Sequence, residues 1–275
     1  MPIDSPLVVK GQTLSEKRRK LAEKKKSKKR AAQSSSKNAE PSREQTDRLI
    51  EHYQAGRLEE AEPLARSITQ QFPAHPFGWK VLGAILKQMG KLSESLAPKQ
   101  KAAELSPQDA EAHSNLGNTL QELGRSDAAQ ASCRYAIALK PDFAEAYYNL
   151  GASLQKLGEF AKAEAHYRQA IALKPDYAEA HNNLASTLQE LGRFAEAEVS
   201  YRKAIALKPE DLKTHNQLLM CLFLQDKKSV FFDELDYLIN QDRPSAIIGS
   251  LACRSFLKYG LEKPNLFCSD PLNYV

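Results

Sequence analysis

Histidine and cysteine are the residues of this 275-residue sequence that could hold a metal ion. Three of the six histidines stand at multiples of 34 residues from one another, namely His113, His181 and His215. No histidine has an acidic residue two positions later, as the His-x-Asp part of an iron site requires. The four cysteines match neither a disulfide framework nor a zinc site in their spacing; they are Cys133, Cys221, Cys253 and Cys268. We therefore predict no metal site, and reduced thiols in a cytoplasmic protein.

Catalytic motifs are also missing from the sequence. It shows no nucleophile arrangement, no glycine-rich phosphate loop and no paired-cysteine motif. The three histidines at a shared offset occupy a position that holds an aromatic residue elsewhere, Tyr147, so we interpret them as packing residues. The sequence predicts a chain that is not an enzyme, with no catalytic residue and no cofactor.

Asparagine and glutamine offer a different chemistry, because a side-chain amide both donates and accepts hydrogen bonds. Asn115, Asn149 and Asn183 recur every 34 residues, and such a row could hold the backbone of an extended peptide whatever its side chains. The neighbouring amides are Asn118, Asn182, Gln121, Gln155 and Gln189. We predict these eight residues as a peptide-binding site. The alternative interpretation is that the asparagines only bind a neighbouring loop of the chain.

A repeat of 34 residues positions these amides. Four windows align on proline: 76–109, 110–143, 144–177 and 178–211. Windows 110–143 and 178–211 are identical at 22 of 34 positions, which excludes chance. A degenerate unit covers about 43–75, so the whole array spans 43–211.

Each window predicts a helix hairpin. In 144–177, apolar residues recur three and four positions apart around Leu150, as in an amphipathic helix. Gly158 ends this helix, because glycine accepts the left-handed backbone needed there. A second stripe around Tyr167 follows, and Pro175 closes the unit because proline interrupts a helix. We expect Gly151 to let the two helices approach closely.

These positions carry the signature of the tetratricopeptide repeat (TPR), and the sequence resembles that family over 43–211. The resemblance implies an all-α, right-handed superhelix, or α-solenoid, of antiparallel helix hairpins. It also implies that the first helix of each hairpin lines a concave groove that binds protein partners. The asparagine row is similar to that of O-linked N-acetylglucosamine transferase, in whose repeats equivalent asparagines hold peptide backbones.

Window 76–109 departs from the pattern in its second helix. Pro98 removes a backbone hydrogen bond there, so we expect a kink or a helix that starts late, near Pro98. Lys99 occupies a position that holds an aromatic residue in other windows, which predicts poorer packing.

The basic charge of the chain is concentrated in a tail, residues 1–42. Residues 1–43 carry 13 Lys and Arg against 4 Asp and Glu, whereas the remainder is mildly acidic. One interpretation is a disordered, solvated tail that is at most transiently helical. The other is a weak, non-specific electrostatic contact of residues 14–30 with nucleic acid, ribosomes or anionic lipid.

The 34-residue period fades after Pro209. Apolar stripes at about 212–225 and 229–240 predict two helices that cap the array within 212–242. Residues 243–275 indicate an apolar helix followed by an extended segment. The stretch 259–268 resembles the segment between TPR arrays and C-terminal 2-oxoglutarate/iron oxygenase domains in some bacterial proteins. No run approaches the roughly 18 apolar residues that span a bilayer, so we predict no membrane insertion.

The predicted function is a protein–protein interaction scaffold that binds an extended peptide in its groove. The alternative is the substrate-recruiting arm of a larger enzyme, an oxygenase or a glycosyltransferase, whose catalytic domain is absent from this chain.

Overall fold

A computed structural model describes residues 40–240, with side chains through Leu238. The predictions for the tail before residue 40, including the contact through 14–30, lie outside this range, as do those for 243–275. Within 40–240 the chain forms twelve helices and no strand. The helices are α1 (Arg43–Gln54), α2 (Leu58–Gln71), α3 (Pro76–Gln88), α4 (Leu92–Leu105), α5 (Ala110–Glu122), α6 (Ser126–Leu139), α7 (Ala144–Lys156), α8 (Phe160–Leu173), α9 (Ala178–Glu190), α10 (Phe194–Leu207), α11 (Leu212–Leu224) and α12 (Lys228–Asn240).

The helices pair as consecutive hairpins, which confirms the predicted all-α solenoid. The chain divides into two compact units, Met1–Leu105 and Ser106–Val275. The first contains α1 to α4, whose core includes Leu49, Ile68 and Leu82. The second contains α5 to α12. No helix within 40–240 has both the length and the apolar character needed to cross a membrane.

Glycine shapes the hairpin of α7 and α8 in two ways. At Gly158 the backbone has φ +76°, the left-handed conformation that was predicted to end α7. At Gly151 a Cβ atom would lie 2.9 Å from Cε1 of Tyr167 on α8, closer than real side chains approach. The two helices therefore pack through the space that the missing side chain leaves.

The core of the second unit is one continuous cluster that passes from hairpin to hairpin. Tyr167 and Tyr201, on successive second helices, are fully buried together with Leu150, Leu184 and Leu218. A single hairpin leaves one apolar face uncovered, so each hairpin is stabilised by its neighbours.

Helix α4 begins at Leu92 and continues through Pro98 to Leu105, so the predicted late start is wrong. Pro98 removes only one hydrogen bond, and the face of the helix that carries Pro98 stays buried. Lys99 is 7 % exposed, and its Cγ lies 2.7 Å from where a Cβ of Gly83 would be. The aliphatic stem of this lysine thus fills the position that Tyr167 fills in its own hairpin.

The last described hairpin, α11 and α12, covers the end of the apolar core. Its helices lie within one residue of the ranges expected for the capping pair. Phe231, Leu235 and Leu238 of α12 are buried in the core cluster of the second unit. Asp226 takes the position of the helix-ending glycine, with φ 60°.

Candidate peptide-binding face

The first helices of successive hairpins approach one another on one side of the second unit. Helix α5 contacts α7, α7 contacts α9, and α9 contacts α11, whereas successive second helices make fewer such contacts. Gln155 on α7 also donates a hydrogen bond to Ser186 on α9, at 3.4 Å. Helices lie closest on the inside of a curved stack. We call this surface of α5, α7, α9 and α11 the inner face.

The three asparagines of the predicted row lie on this inner face in three different states. Asn115 is exposed and makes no hydrogen bond with the described residues. Asn149 is 8 % exposed, and its Nδ2 donates to Oγ of Ser114 at 3.0 Å. Asn183 is half-buried, and its Nδ2 donates to the hydroxyl of Tyr148 at 3.1 Å. Two members of the row therefore bind the preceding first helix, and not a loop as the alternative interpretation expected; peptide binding by the row stays a prediction.

The predicted amides Asn118 and Gln155 belong to networks between repeats. Asn118 Nδ2 donates to Oδ1 of Asn149 at 3.4 Å. Gln155 accepts a hydrogen bond from the Tyr167 hydroxyl at 2.8 Å, which links α7 to α8. Gln121 is nearly buried, and its backbone carbonyl accepts from Lys156 at 2.8 Å. In the α5–α7 half of the inner face, most predicted amides are therefore already paired within the protein.

The α9–α11 half leaves more amide groups unpaired. Oε1 of Gln189 is buried without a hydrogen-bond partner, as are Oδ1 of Asn216 and Oε1 of Gln217. In the preceding repeat the equivalent Oε1, of Gln155, accepts from the Tyr167 hydroxyl. The hydroxyl of Tyr201, 34 residues after Tyr167, forms its side-chain hydrogen bond with Ser186 instead. A buried acceptor without a donor costs about 1–3 kcal/mol. The sequence prediction missed Asn216 and Gln217, although Gln217 stands 34 residues after Asn183.

Tyr148 is a further residue of the inner face that the sequence prediction missed. Its ring centroid lies 4.9 Å from that of Tyr177 and 5.9 Å from that of Tyr167. Burial raises the pKa of the Tyr148 hydroxyl above its ordinary value, so the group keeps its proton at neutral pH. It can therefore act as donor or acceptor toward a ligand and toward Asn183.

A cleft on the inner face lies beside these residues, with a volume of about 240 Å³. Asn182, at 9 % exposure, and Asn183 line it together with Tyr148. The carboxylate of Glu179 at its rim forms an ion pair with Lys208. Burial, the largest single effect, favours the neutral acid at Glu179. The hydrogen bond from Lys208, a backbone hydrogen bond and the charges of Lys208 and Lys174 together outweigh burial, so the pKa of Glu179 is lowered.

The histidines of the 34-residue period bind carbonyl oxygens of the chain. Nε2 of His113 lies 3.2 Å from the carbonyl oxygen of Pro107, and His181 and His215 make the equivalent contacts. Among residues 40–240, no group of three potential ligands could hold a metal ion. Cys133 is fully buried against Gly117, and burial raises the pKa of its thiol to about 12.

The geometry defines a class of protein: an α-solenoid of 34-residue helix hairpins with an amide-rich inner face. Comparison with family models names the repeat. Residues 142–210 and 110–143 match models described as tetratricopeptide repeat, and residues 83–124 match one described as TPR repeat. The chain therefore contains tetratricopeptide repeats. None of the curated proteins compared with the chain matches it.

Solved structures show the same fold. A tetratricopeptide repeat protein from Parabacteroides merdae is 20% identical, with TM-score 0.62, over 79% of this chain and 86% of that protein. PilW, a type IV pilus biogenesis factor, is 19% identical, with TM-score 0.70, over 75% and 96% of the two chains. A thermophilic TPR protein from Thermus thermophilus is 24% identical, with TM-score 0.55, over 66% and 98%. At these identities the similarity concerns the fold.

Proposed function

We propose that this chain is a non-enzymatic, cytoplasmic scaffold that binds a protein partner through an extended peptide on its inner face. A TPR array supports the general role of a protein-interaction scaffold. One observation carries the more specific proposal. Amide side chains stand in register on successive first helices, and several keep a donor or acceptor unpaired, as Asn115 and Asn183 do.

Amides are suited to this task because a peptide backbone offers one N–H donor and one C=O acceptor at each residue. A row of amides can therefore bind a strand without reading its side chains. Asn115 and Asn183 have groups available for such bonds, whereas Asn149 is committed to Ser114. We accordingly assign Asn149 a supporting role, in which it keeps α5 and α7 in register.

The proposal is tested by selecting a binding peptide from a random dodecapeptide library and measuring its affinity for the full chain by fluorescence anisotropy. The variant carries Asn115→Ala and Asn183→Ala. The control carries Gln169→Ala, which removes an exposed amide from the second helix α8. We expect the double variant to weaken binding by more than about tenfold and the control to leave it unchanged. Failure to select any peptide, or equal losses in both variants, would overturn the proposal.

The alternative role as the recruiting arm of a larger enzyme rests on residues 259–268, outside the described range. It stays a prediction, as does the resemblance of the asparagine row to that of O-linked N-acetylglucosamine transferase. The same inner face would serve in either case, because an arm of this kind also delivers its substrate through a bound peptide.

A further inference from the structure

The cleft between α7, α9 and α11 has the dimensions of a subsite for part of an extended chain. Its volume of about 240 Å³ is below the roughly 300–1,000 Å³ typical of pockets that enclose a drug-sized ligand. Its polar walls include Tyr148, Glu179, Asn182, Asn183, Lys213 and Thr214. These residues belong to three successive hairpins, so the subsite exists only in the stacked array.

Two adjacent amides line this cleft, and each forms a hydrogen bond with a hydroxyl group of the protein. Asn183 Nδ2 donates to the Tyr148 hydroxyl at 3.1 Å, and Thr214 Oγ1 lies 3.2 Å from Oδ1 of Asn182. The other end of each amide, Oδ1 of Asn183 and Nδ2 of Asn182, has no partner within residues 40–240. Asn182 is nine-tenths buried, so its amide is already ordered before a ligand arrives.

The hydroxyl partners allow both amides to adapt to a ligand. Thr214 has one hydroxyl proton, and Oδ2 of Asp211 lies 2.6 Å away as a second acceptor. When that proton lies on the Asp211 side, Asn182 turns its Nδ2 toward Thr214 and its Oδ1 toward the cleft. The Tyr148 hydroxyl can likewise donate to Asn183 or accept from it. Each amide can therefore present either a donor or an acceptor without losing its internal bond.

The charges around the cleft leave one cation without an ion pair. Glu179 pairs with Lys208. Asp211 caps α11, because its Oδ1 accepts from the backbone N–H of Lys213 at 3.1 Å. The ammonium group of Lys213 is exposed and has no ion-pair partner in the described part of the chain. An acidic side chain of a ligand would complement it.

We infer that Asn182 and Asn183 together clamp one residue of an extended peptide, binding its backbone N–H and C=O, while an Asp or Glu beside that residue pairs with Lys213. This inference rests on the proposed function and specifies where on the inner face the peptide is held and what sequence it prefers. The α5–α7 half contributes less, because Asn118 and Asn149 are already paired with each other.

The test uses the peptide selected from the random dodecapeptide library and the full chain. Asn182→Ala and Asn183→Ala should each weaken its binding about tenfold, and Lys213→Gln about threefold. Gln169→Ala serves as the matched control, since it removes an exposed amide from the second helix α8, outside the inner face. Replacing the acidic residue of the peptide by its amide should not weaken binding to the Lys213→Gln variant any further.

Asn182 is buried, so its replacement could disturb folding. A ligand-side variant avoids this difficulty: copies of the peptide carry a single backbone N-methyl group at each position in turn. The peptide methylated at one position, next to the acidic residue, should bind the wild-type chain about tenfold more weakly than the unmethylated peptide does. The same methyl group should weaken binding to the Asn183→Ala variant much less.

The possible results separate the two proposals. If a peptide binds and Asn115→Ala weakens it while Asn182→Ala and Asn183→Ala do not, the clamp is overturned and the proposed function stands. An affinity that is insensitive to N-methylation at every position also overturns the clamp. If the library yields no binding peptide, the proposed function itself fails.

Discussion

Nε2 of His181 lies 3.0 Å from the carbonyl oxygen of Pro175, six residues earlier. A carbonyl oxygen only accepts, so Nε2 carries the proton and the ring binds the proline that closes the preceding hairpin. Trp79 makes the same contact with Pro73, through Nε1 at 3.0 Å. Tryptophan and histidine share a ring N–H, which explains why histidine replaces an aromatic residue at this position.

We predict that His181→Phe lowers the free energy of unfolding by about 1 kcal/mol, because the Pro175 carbonyl loses its donor. His181→Trp should retain most of the stability, since Trp79 fills the same position with the same bond. Urea unfolding followed by circular dichroism measures both variants. Equal midpoints for the Phe and Trp variants would show that the ring acts only by packing.

The two glycines of the third predicted window should respond to different substitutions. Gly158 has open space around its Cα, so Gly158→Ala should cost only the backbone term, about 1–2 kcal/mol for φ +76°. Gly151→Val should cost more, about 3 kcal/mol, because the new side chain meets the Tyr167 ring. Thermal unfolding of the two variants gives the comparison, and a costlier change at Gly158 would contradict this packing.

Replacing Asn149 should affect the stability of the chain, whereas replacing Asn115 should not. Asn149→Ala removes the hydrogen bond to Ser114 in a buried setting and should destabilise the chain by about 1–2 kcal/mol. Asn115→Ala should leave the stability unchanged within about 0.5 kcal/mol, because the side chain is exposed. Denaturant unfolding curves decide this. A destabilised Asn115 variant would argue against an available amide at that position.

Lowering the pH should reduce the stability of the first unit, because Glu62 becomes protonated. Its carboxylate accepts from Lys91 at 2.7 Å and from Arg66, and these bonds hold its pKa below the ordinary value of 4.5 despite the opposing effect of burial. A lowered folded pKa gives stability that is present above pH 4.5 and is lost as the pH falls through the folded value. Because the partners are partly exposed, we expect only about 0.5–1 kcal/mol.

Comparison of the wild type with Glu62→Gln isolates this contribution. The wild type should be more stable at pH 7, and the difference should shrink toward zero below the ordinary carboxyl value. Urea midpoints measured from pH 7 to pH 3 provide the test. A difference that stays constant over this range would mean that the ion pair with Lys91 contributes nothing.

Spacing alone predicts the parts of the fold that depend on local chemistry. Gly158 requires a left-handed backbone and Pro175 interrupts a helix, so hairpin boundaries follow directly from their positions. The predicted late start of α4 was wrong because the loss of one hydrogen bond at Pro98 does not decide where the helix begins. The helix is held by packing along its whole length, and even Lys99 contributes its aliphatic stem to that packing.

The state of each amide could not be predicted, because it depends on a partner in the preceding hairpin. Asn149 and Asn183 are the same residue at the same offset, yet the residue 35 positions earlier is Ser114 for one and Tyr148 for the other. Oδ1 of Asn149 accepts from Asn118, whereas Ala152 stands 34 residues after Asn118 and offers no donor to Oδ1 of Asn183. Repeat position thus predicts which face a side chain occupies, and only the three-dimensional contacts show whether it can bind a ligand.

The most direct test of the account is nuclear magnetic resonance of the side-chain amide groups during titration with the selected dodecapeptide. Peptide binding on the inner face should shift the NH₂ signals of Asn115, Asn182 and Asn183 strongly. The NH₂ signals of Gln169 on α8 should not shift. Shifts confined to Gln169 and other second-helix amides, with those of Asn182 and Asn183 unmoved, would contradict peptide binding on the inner face.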